Sequence, residues 1–498
     1  MDSQTDSKPG SKTDSKLRRL LFAVLASAAS AVAFFYGIGL HPHWYLMWLA
    51  PLPIFFLAPC ASRWTAVLAA FLAFALGQLT SWGYYRAVTA VPITILALFG
   101  PAVLFAGLIA AFRAYAIRRH FIRATLIVPA AWVAFEYLNA ASSPHSTFAN
   151  LAYTQMDFLP ILQITALTGI WSISFLLFLL PSAIAIVTAA HVPAGQRLLI
   201  GAGTFVVFAA VLGYGFHRLH TSQRVPQLTI ALLDTDARPL YPRGPAAVDL
   251  VRSYAQQIPQ LAQQGAQLVV IPEKIGRFTP AEVSEADQIL SQSAKTNRLT
   301  IVAGFHHLPN LNESRVYSPD GALVATYEKH HMLPAFESDL LSGTSRVTLD
   351  QPSGKWGLEI CKDMDFPKLS RQYGNDGAGL LIVPAWDFVD DGWLHGRMAI
   401  LRGVESGFSI ARAPKQGILT VTDDRGRVLA QRTTGPSFSS VITTAPVVHD
   451  STLYDRAGDW FAWLDLALLA AILLSSLNFR PQSIPSSRDE RRLGVVQQ

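Results

Sequence analysis

The stretch Trp356-Gly-Leu-Glu-Ile-Cys361-Lys-Asp-Met-Asp-Phe-Pro367 decides how this chain is read. Its first half is a short apolar run of strand type, and a thiol stands at its end. Crevices in layered α/β folds open at strand ends, and a thiolate is a nucleophile. Two other runs finish the same way. Leu268-Val-Val-Ile-Pro ends in Glu273, and Leu323-Val-Ala-Thr-Tyr-Glu ends in Lys329. A thiol, a carboxylate and an ammonium together can perform acyl chemistry. The carboxylate takes the thiol proton, the thiolate attacks a carbonyl, and the ammonium stabilises the oxyanion. Lys362, beside the thiol, adds positive potential. Taken singly, each residue also has a plain structural reading: a small core cysteine, a turn glutamate, a solvated lysine.

Around these runs, residues 228–445 alternate strand-like and helix-like segments. Strands are expected at Leu228–Leu233, Leu268–Ile271, Thr300–Ala303, Leu358–Ile360 and Leu380–Val383, and helices at Ala246–Gln264, Pro280–Lys295 and Trp393–Ser406. Pro319-Asp-Gly321 and Asp424-Arg-Gly426 are hairpin-turn sequences. Such alternation predicts α/β layers around buried sheets. No repeat, GxGxxG or P-loop is present. His330, His331 and His395 carry no convincing metal-ligand spacing, so neither metal nor cofactor is expected.

Outside this block the chain is too apolar for a wholly soluble protein. Of 498 residues, 51% are hydrophobic and 15% charged, against about 25% charged in ordinary soluble domains. A bilayer core needs about 20 apolar residues in a helix. Seven candidate spans precede the globular block, at 18–39, 43–60, 64–82, 91–113, 124–138, 164–190 and 197–216, and an eighth covers 459–477. The expected organisation is a tail over 1–17, a membrane domain over 18–216, a globular domain over 217–458, a last span over 459–477 and a tail over 478–498. Arg113, Arg118, Arg119 and Arg123 crowd one loop, and the tails carry Lys8, Lys12, Lys16, Arg18, Arg19, Arg480, Arg488, Arg491 and Arg492, whereas 139–160 has neither Lys nor Arg. Positive residues mark the cytoplasmic side, which puts both tails inside and the globular domain outside. The net charge of +6 reflects this topology and attraction to anionic lipid, not nucleic acid. Trp44, Trp48 and Trp82 read as interfacial belt residues. Glu136, an acid late in a span, is either a functional group or an interfacial one. Asp365 and Asp387 either line the site or cap a helix, with capping the expected role. Cys60 and Cys361 lie too far apart in the expected organisation to pair, leaving a free thiol where thiols tend to be oxidised.

The order and settings of Glu273, Lys329 and Cys361 resemble the nitrilase superfamily. Val270-Ile-Pro-Glu273 is similar to its glutamate motif. Tyr327-Glu-Lys-His-His-Met-Leu-Pro-Ala-Phe-Glu337 is similar to its lysine motif, and Glu359-Ile-Cys-Lys-Asp-Met-Asp-Phe-Pro367 to its nucleophile motif. Trp393-Leu-His-Gly-Arg-Met-Ala-Ile-Leu-Arg-Gly-Val-Glu405 resembles a helix that follows. Set between spans, with Phe148–Gln155 and Pro160–Leu176 ahead of it, the whole resembles the bacterial apolipoprotein N-acyltransferase family over about 18–478.

That resemblance implies a multi-span helical domain joined to an αββα sandwich, and a multi-pass location in the bacterial inner membrane. It implies transfer of an acyl chain from a phospholipid, through a Cys361 thioester, to the α-amine of a diacylglyceryl-modified apolipoprotein. Glu273 would be the base, Lys329 the oxyanion donor and Glu337 a second glutamate of the site. The chain departs from the family at Lys362-Asp363, at Pro384-Ala-Trp386-Asp-Phe388 and in a short segment between Glu337 and Cys361. Glu337, Lys362, Asp363 and Trp386 are therefore expected either to bind substrate or to support the site. A membrane-tethered amidase with the same triad is the alternative, and a catalytically dead binding module is the third reading.

Overall fold

Residues 10–221, 226–237 and 242–477 are described by the computed structural model. The basic tail over 478–498 and the first nine residues, Lys8 among them, lie outside them. Two sheets stand face to face. In the first, neighbours run Ser439–Pro446, Gln227–Asp234, Leu268–Val270, Thr300–His307, Leu311–Tyr317 and Leu323–Glu328, with Arg277–Phe278 beside Thr300–His307. In the second they run Val428–Thr433, Ile418–Thr422, Ser409–Lys415, Leu380–Trp386, Gly354–Leu358 and Thr348–Gln351. The central strands of each sheet pair in parallel, and antiparallel strands flank them.

Alternation along each strand builds the layers. Ile230 and Leu232 face Leu358 and Ile382 between the sheets. Ala231 and Leu233 face outward onto the helices Pro245–Gln263 and Pro280–Asn297 through Val251, Ile258 and Leu290. Pro367–Asn375 and Gly392–Ser406 cover the other sheet. This is the αββα sandwich. Thr279 and Glu282 close a capping box ahead of Pro280–Asn297, which satisfies two orphan N–H groups. The expected strand at Leu358–Ile360 instead spans Gly354–Leu358. The chain leaves the ladder after Leu358 and turns at Cys361, whose φ is +46°.

Among the described residues, six helices are long and apolar enough to cross a membrane: Leu17–Gly37 within Gly10–Gly37, Arg63–Val88, Val91–Ile117, Phe121–Ser142, Trp171–Thr188 and Ala194–His220. The first helix thus begins inside the expected tail. The 43–60 and 459–477 segments are shorter apolar helices, Trp44–Cys60 and Trp460–Ser476. The former divides into Trp44–Leu49 and Leu52–Cys60, where Pro51 and Pro53 remove backbone donors. Six of the seven segments expected before the sandwich therefore correspond to helices of full length, and 43–60 to the shorter apolar pair. The expected 164–190 span is also shorter. Gly169 (φ +66°) breaks it ahead of Trp171, and any Cβ there would strike the Tyr454 ring.

The sandwich rests on the helical unit. Gly392–Ser406 packs Ala399 against the second sheet and Leu394, Met398 and Leu401 into the membrane-helix core. The loop after Phe121–Ser142 turns inward, with Thr147 donating to the Asp365 carbonyl (2.8 Å) and Arg402 donating to the Tyr153 hydroxyl (3.2 Å). Glu136 accepts the Leu151 N–H (2.8 Å) and so anchors this loop from the helix below. Trp48 is no belt residue, since its indole donates to Gln155 (2.7 Å) inside the bundle. Val91–Ile117 starts beneath the sandwich, and its 27 residues carry Arg118 roughly 40 Å away. The arginine-rich loop therefore lies at the end of the bundle away from the sandwich.

Candidate active site

Three strand ends and one turn converge. Glu273 follows Leu268–Val270, Lys329 follows Leu323–Glu328, and Cys361 follows Gly354–Leu358. Any Cβ at Gly304 would collide with the Glu273 backbone, so the small residue lets these two segments touch. Lys329 is buried, and its ammonium donates to Glu273 Oε1 (2.9 Å) and Glu337 Oε2 (2.8 Å). Burial opposes its charge, yet Glu273 and Glu337 outweigh it and hold the ammonium well above the usual lysine range. Glu337 is held low: burial alone would raise it, but Lys329 and Lys274 prevail. Lys274 donates to Glu337 and lies 3.6 Å from Glu273 Oε1. Glu273 Oε2 is buried and has no hydrogen-bond partner among the described residues.

Cys361 is partly buried, and its thiol donates to the Trp386 carbonyl at 3.4 Å. Burial, then the Glu273 carboxylate, push this thiol well above its ordinary value, with Lys329 pulling the other way. The resting group is thus a thiol, and its nucleophilicity depends on proton removal. The left-handed φ of Cys361 is uncommon for a residue with a Cβ. It turns the side chain out of the sheet at a tight corner.

Asp363 holds that corner. It accepts from the Ile360 N–H (3.1 Å), the Tyr327 hydroxyl (2.7 Å) and the His331 N–H (2.8 Å). It therefore staples the Cys361 turn to the segment carrying Lys329. Of the two roles expected of Asp363, substrate binding or support of the site, the geometry fits support: it is fully buried and faces these donors, not the cavity. Glu273, Lys329, Glu337, Cys361, Lys362 and Trp386 do line one cavity of about 1140 Å³. Its other wall is made of membrane helices, through Ile93, Ala97 and Gly100 on one and Trp132 and Phe135 on another.

Asp365 and Asp387 also line this cavity, and they are not helix caps. Asp365 pairs with Lys362 (3.1 Å), and Asp387 takes a two-pronged bond from Arg412. Asp387, Asp391 and His395 bring their ligand atoms within 4.8 Å of one another. Burial works against the His395 charge, but Asp391 and Asp387 outweigh it and lift the group to about 9. Asp391 accepts the Tyr84 hydroxyl (2.6 Å), which ties a membrane helix to the sandwich.

Residues 24–183 match the family model for the apolipoprotein N-acyltransferase N-terminal domain, and residues 236–435 match that for carbon-nitrogen hydrolase. The apolipoprotein N-acyltransferase of Geobacter metallireducens is 27% identical over 396 residues, 72% of this chain and 74% of that protein. Apolipoprotein N-acyltransferase 1 of Treponema denticola is 22% identical over 435 residues, 70% and 76% of the two chains. The chain belongs to the apolipoprotein N-acyltransferase family. The omega-amidase NIT2-B of Xenopus laevis, 30% identical over 165 residues, matches 28% of this chain and 59% of its own. A solved amidase from Nesterenkonia sp. covers 49% of the chain and 98% of its own, with 20% identity and a TM-score of 0.40.

Within this candidate site, sequence reasoning missed Asn312. Its amide donates to Glu273 Oε1 (2.6 Å) and Glu337 Oε1 (3.0 Å), bridging the two carboxylates. Nothing in Leu311–Tyr317 distinguishes it from a surface asparagine. Lys274 was legible in principle, as a second cation directly after Glu273.

Proposed function

We propose that this enzyme takes an acyl chain from a membrane phospholipid onto Cys361 and passes it to the α-amine of a diacylglyceryl-modified lipoprotein. Lipoprotein N-acylation is the activity of the family; the phospholipid donor, the residue roles and the topology are our reading. The observation that carries it is the shared cavity, in which the Glu273–Lys329–Cys361 cluster and the apolar sides of membrane helices enclose the same space. Donor and acceptor are both anchored in lipid, and such a wall accepts their chains.

Glu273 Oε2 takes the thiol proton as sulfur attacks the ester carbonyl, and the oxyanion forms against the Lys329 ammonium. Collapse breaks the C–O bond, and the proton returns from Glu273 to the leaving alkoxide, releasing a lysophospholipid. In the second half the amine attacks the thioester. A C–N bond forms, the C–S bond breaks, and the amine proton travels through Glu273 to the departing thiolate. Glu337, Lys274 and Asn312 keep Glu273 and Lys329 in register. The arginine-rich loop far from the sandwich supports an extracytoplasmic active site, by the positive-inside rule. The amidase alternative has less support, since its relatives match the sandwich and leave the helices unexplained.

The test is an intact mass of the detergent-purified protein after incubation with phospholipid, beside Cys361→Ala. We expect a fatty-acyl adduct on the parent protein, released by neutral hydroxylamine and absent from the variant. A reduced, reactive thiol that acquires no adduct would overturn the reading in favour of hydrolysis of small amides.

A further inference from the structure

Donor and acceptor pose a selection problem to the reading above, on which this inference rests. Both carry two acyl chains on a glycerol, so both offer ester carbonyls to the same thiolate. A thiolate that attacked the acceptor's esters would strip the lipoprotein instead of completing it. The chemical difference close to the reacting carbonyl is the phosphodiester, which the donor has and the diacylglyceryl thioether lacks.

The cavity carries a donor pair fit to sense that difference. Lys362 follows the nucleophile directly, is buried, and lines the same space. Its ammonium makes two hydrogen bonds, to Asp365 Oδ2 (3.1 Å) and His145 Nδ1 (3.3 Å). A lysine has three donors, so one N–H is left without a hydrogen-bond acceptor among the described residues, and the ammonium otherwise lies over the Phe366 ring, 5.8 Å from its centre. His145 comes from the loop after Phe121–Ser142, the other side of the junction, and also lines the cavity. With Nδ1 accepting from Lys362, the neutral ring carries its proton on Nε2. Burial, then the Lys362 charge, keep His145 below its ordinary value, in line with that neutral form.

We infer that Lys362 and His145 form a subsite for the phosphate of the lipid donor, which selects phospholipid over the acceptor's own diacylglyceryl group in the first half-reaction. Lys362 is the neighbour of Cys361 in the chain and lines the same cavity, and the phosphate would sit beside its ammonium while Cys361 attacks the carbonyl of the same lipid. Two donors on two different elements give the phosphate a place to sit only where sandwich and helices meet. Asp365 holds Lys362 in place and keeps the empty subsite from carrying a bare buried charge.

The experiment compares donors within one protein. Full-length enzyme in detergent micelles is given phosphatidylglycerol or diacylglycerol with identical chains, and thioester formation is followed by mass. The parent protein should favour the phospholipid by about tenfold or more, the scale of one charge-assisted hydrogen bond. Lys362→Met should bring the two donors within about twofold, and Lys362→Arg should restore most of the preference. Because the readout is a ratio, partial loss of folded enzyme does not imitate it. An unchanged ratio in Lys362→Met, or a parent protein indifferent to phosphate, overturns the subsite while leaving acyl transfer standing. Absence of a thioester from either donor overturns acyl transfer and the subsite together.

Discussion

The two ends of the one cavity are built on opposite plans. At the strand ends, Glu273, Lys329, Glu337, Lys274 and Asn312 are cross-bonded into a single polar knot. At the helix end, Ile93, Ala97, Gly100 and Phe135 offer only apolar surface. Bond-making requires groups fixed to within fractions of an ångström, and hydrogen bonds supply that. An acyl chain has many conformers and no directional bonds, and a compliant apolar wall suits it.

The polar knot should be the less forgiving end. Lys329→Ala removes the proposed oxyanion donor and should slow thioester formation about 10²–10³-fold in single-turnover measurements. A loss no greater than that of an exposed control, Lys368→Ala, would break the contrast. Asp363→Asn replaces a carboxylate by an amide that turns donors toward donors. Its expected cost is about 1–3 kcal/mol, read as a lower thermal midpoint, with slower acylation because the Cys361 turn loosens. At the apolar end, a Cβ at Gly100 meets only the tip of the Leu96 side chain, at 3.8 Å, so Gly100→Leu should fit the helix. It should slow a long-chain donor about three- to tenfold relative to a short-chain one. Equal effects on both chain lengths would remove the helix end from chain recognition.

The smallest expected effect concerns the tie between the ends. His395, lifted from 6.5 to about 9 by Asp391 and Asp387, binds its proton more tightly folded than unfolded. Its contribution to stability is full below pH 6.5 and is lost as the pH rises through about 9. Melting points should decline over that window in the parent protein, by roughly 1–3 kcal/mol in stability. His395→Gln should flatten the decline, and an unaltered slope would discharge the histidine from this role.

Much of this was legible from local pattern. The strand end at Glu273 is written as an apolar run closed by one polar residue, and the hairpin turns as Pro319-Asp-Gly321 and Asp424-Arg-Gly426. What local pattern does not carry is direction in three dimensions. Asp363 reads as a neighbour of the nucleophile, which leaves substrate binding and support of the site both open. Its actual orientation depends on Tyr327 and His331, residues far away in the chain. Asn312 is invisible for the same reason. Hydropathy likewise registers that 43–60 is apolar, but not that two prolines divide it.

Gly392–Ser406 belongs to two interiors at once. Severing the chain after His220 would not release a soluble enzyme. Leu394, Met398 and Leu401 would meet water, and Cys361 would keep its carboxylate and its lysine while losing the wall opposite. Unlike a tethered hydrolase, whose anchor is only an address, this protein should lose its activity and its solubility in the same cut. Proteolytic shedding would be an off-switch for it, not a route of secretion.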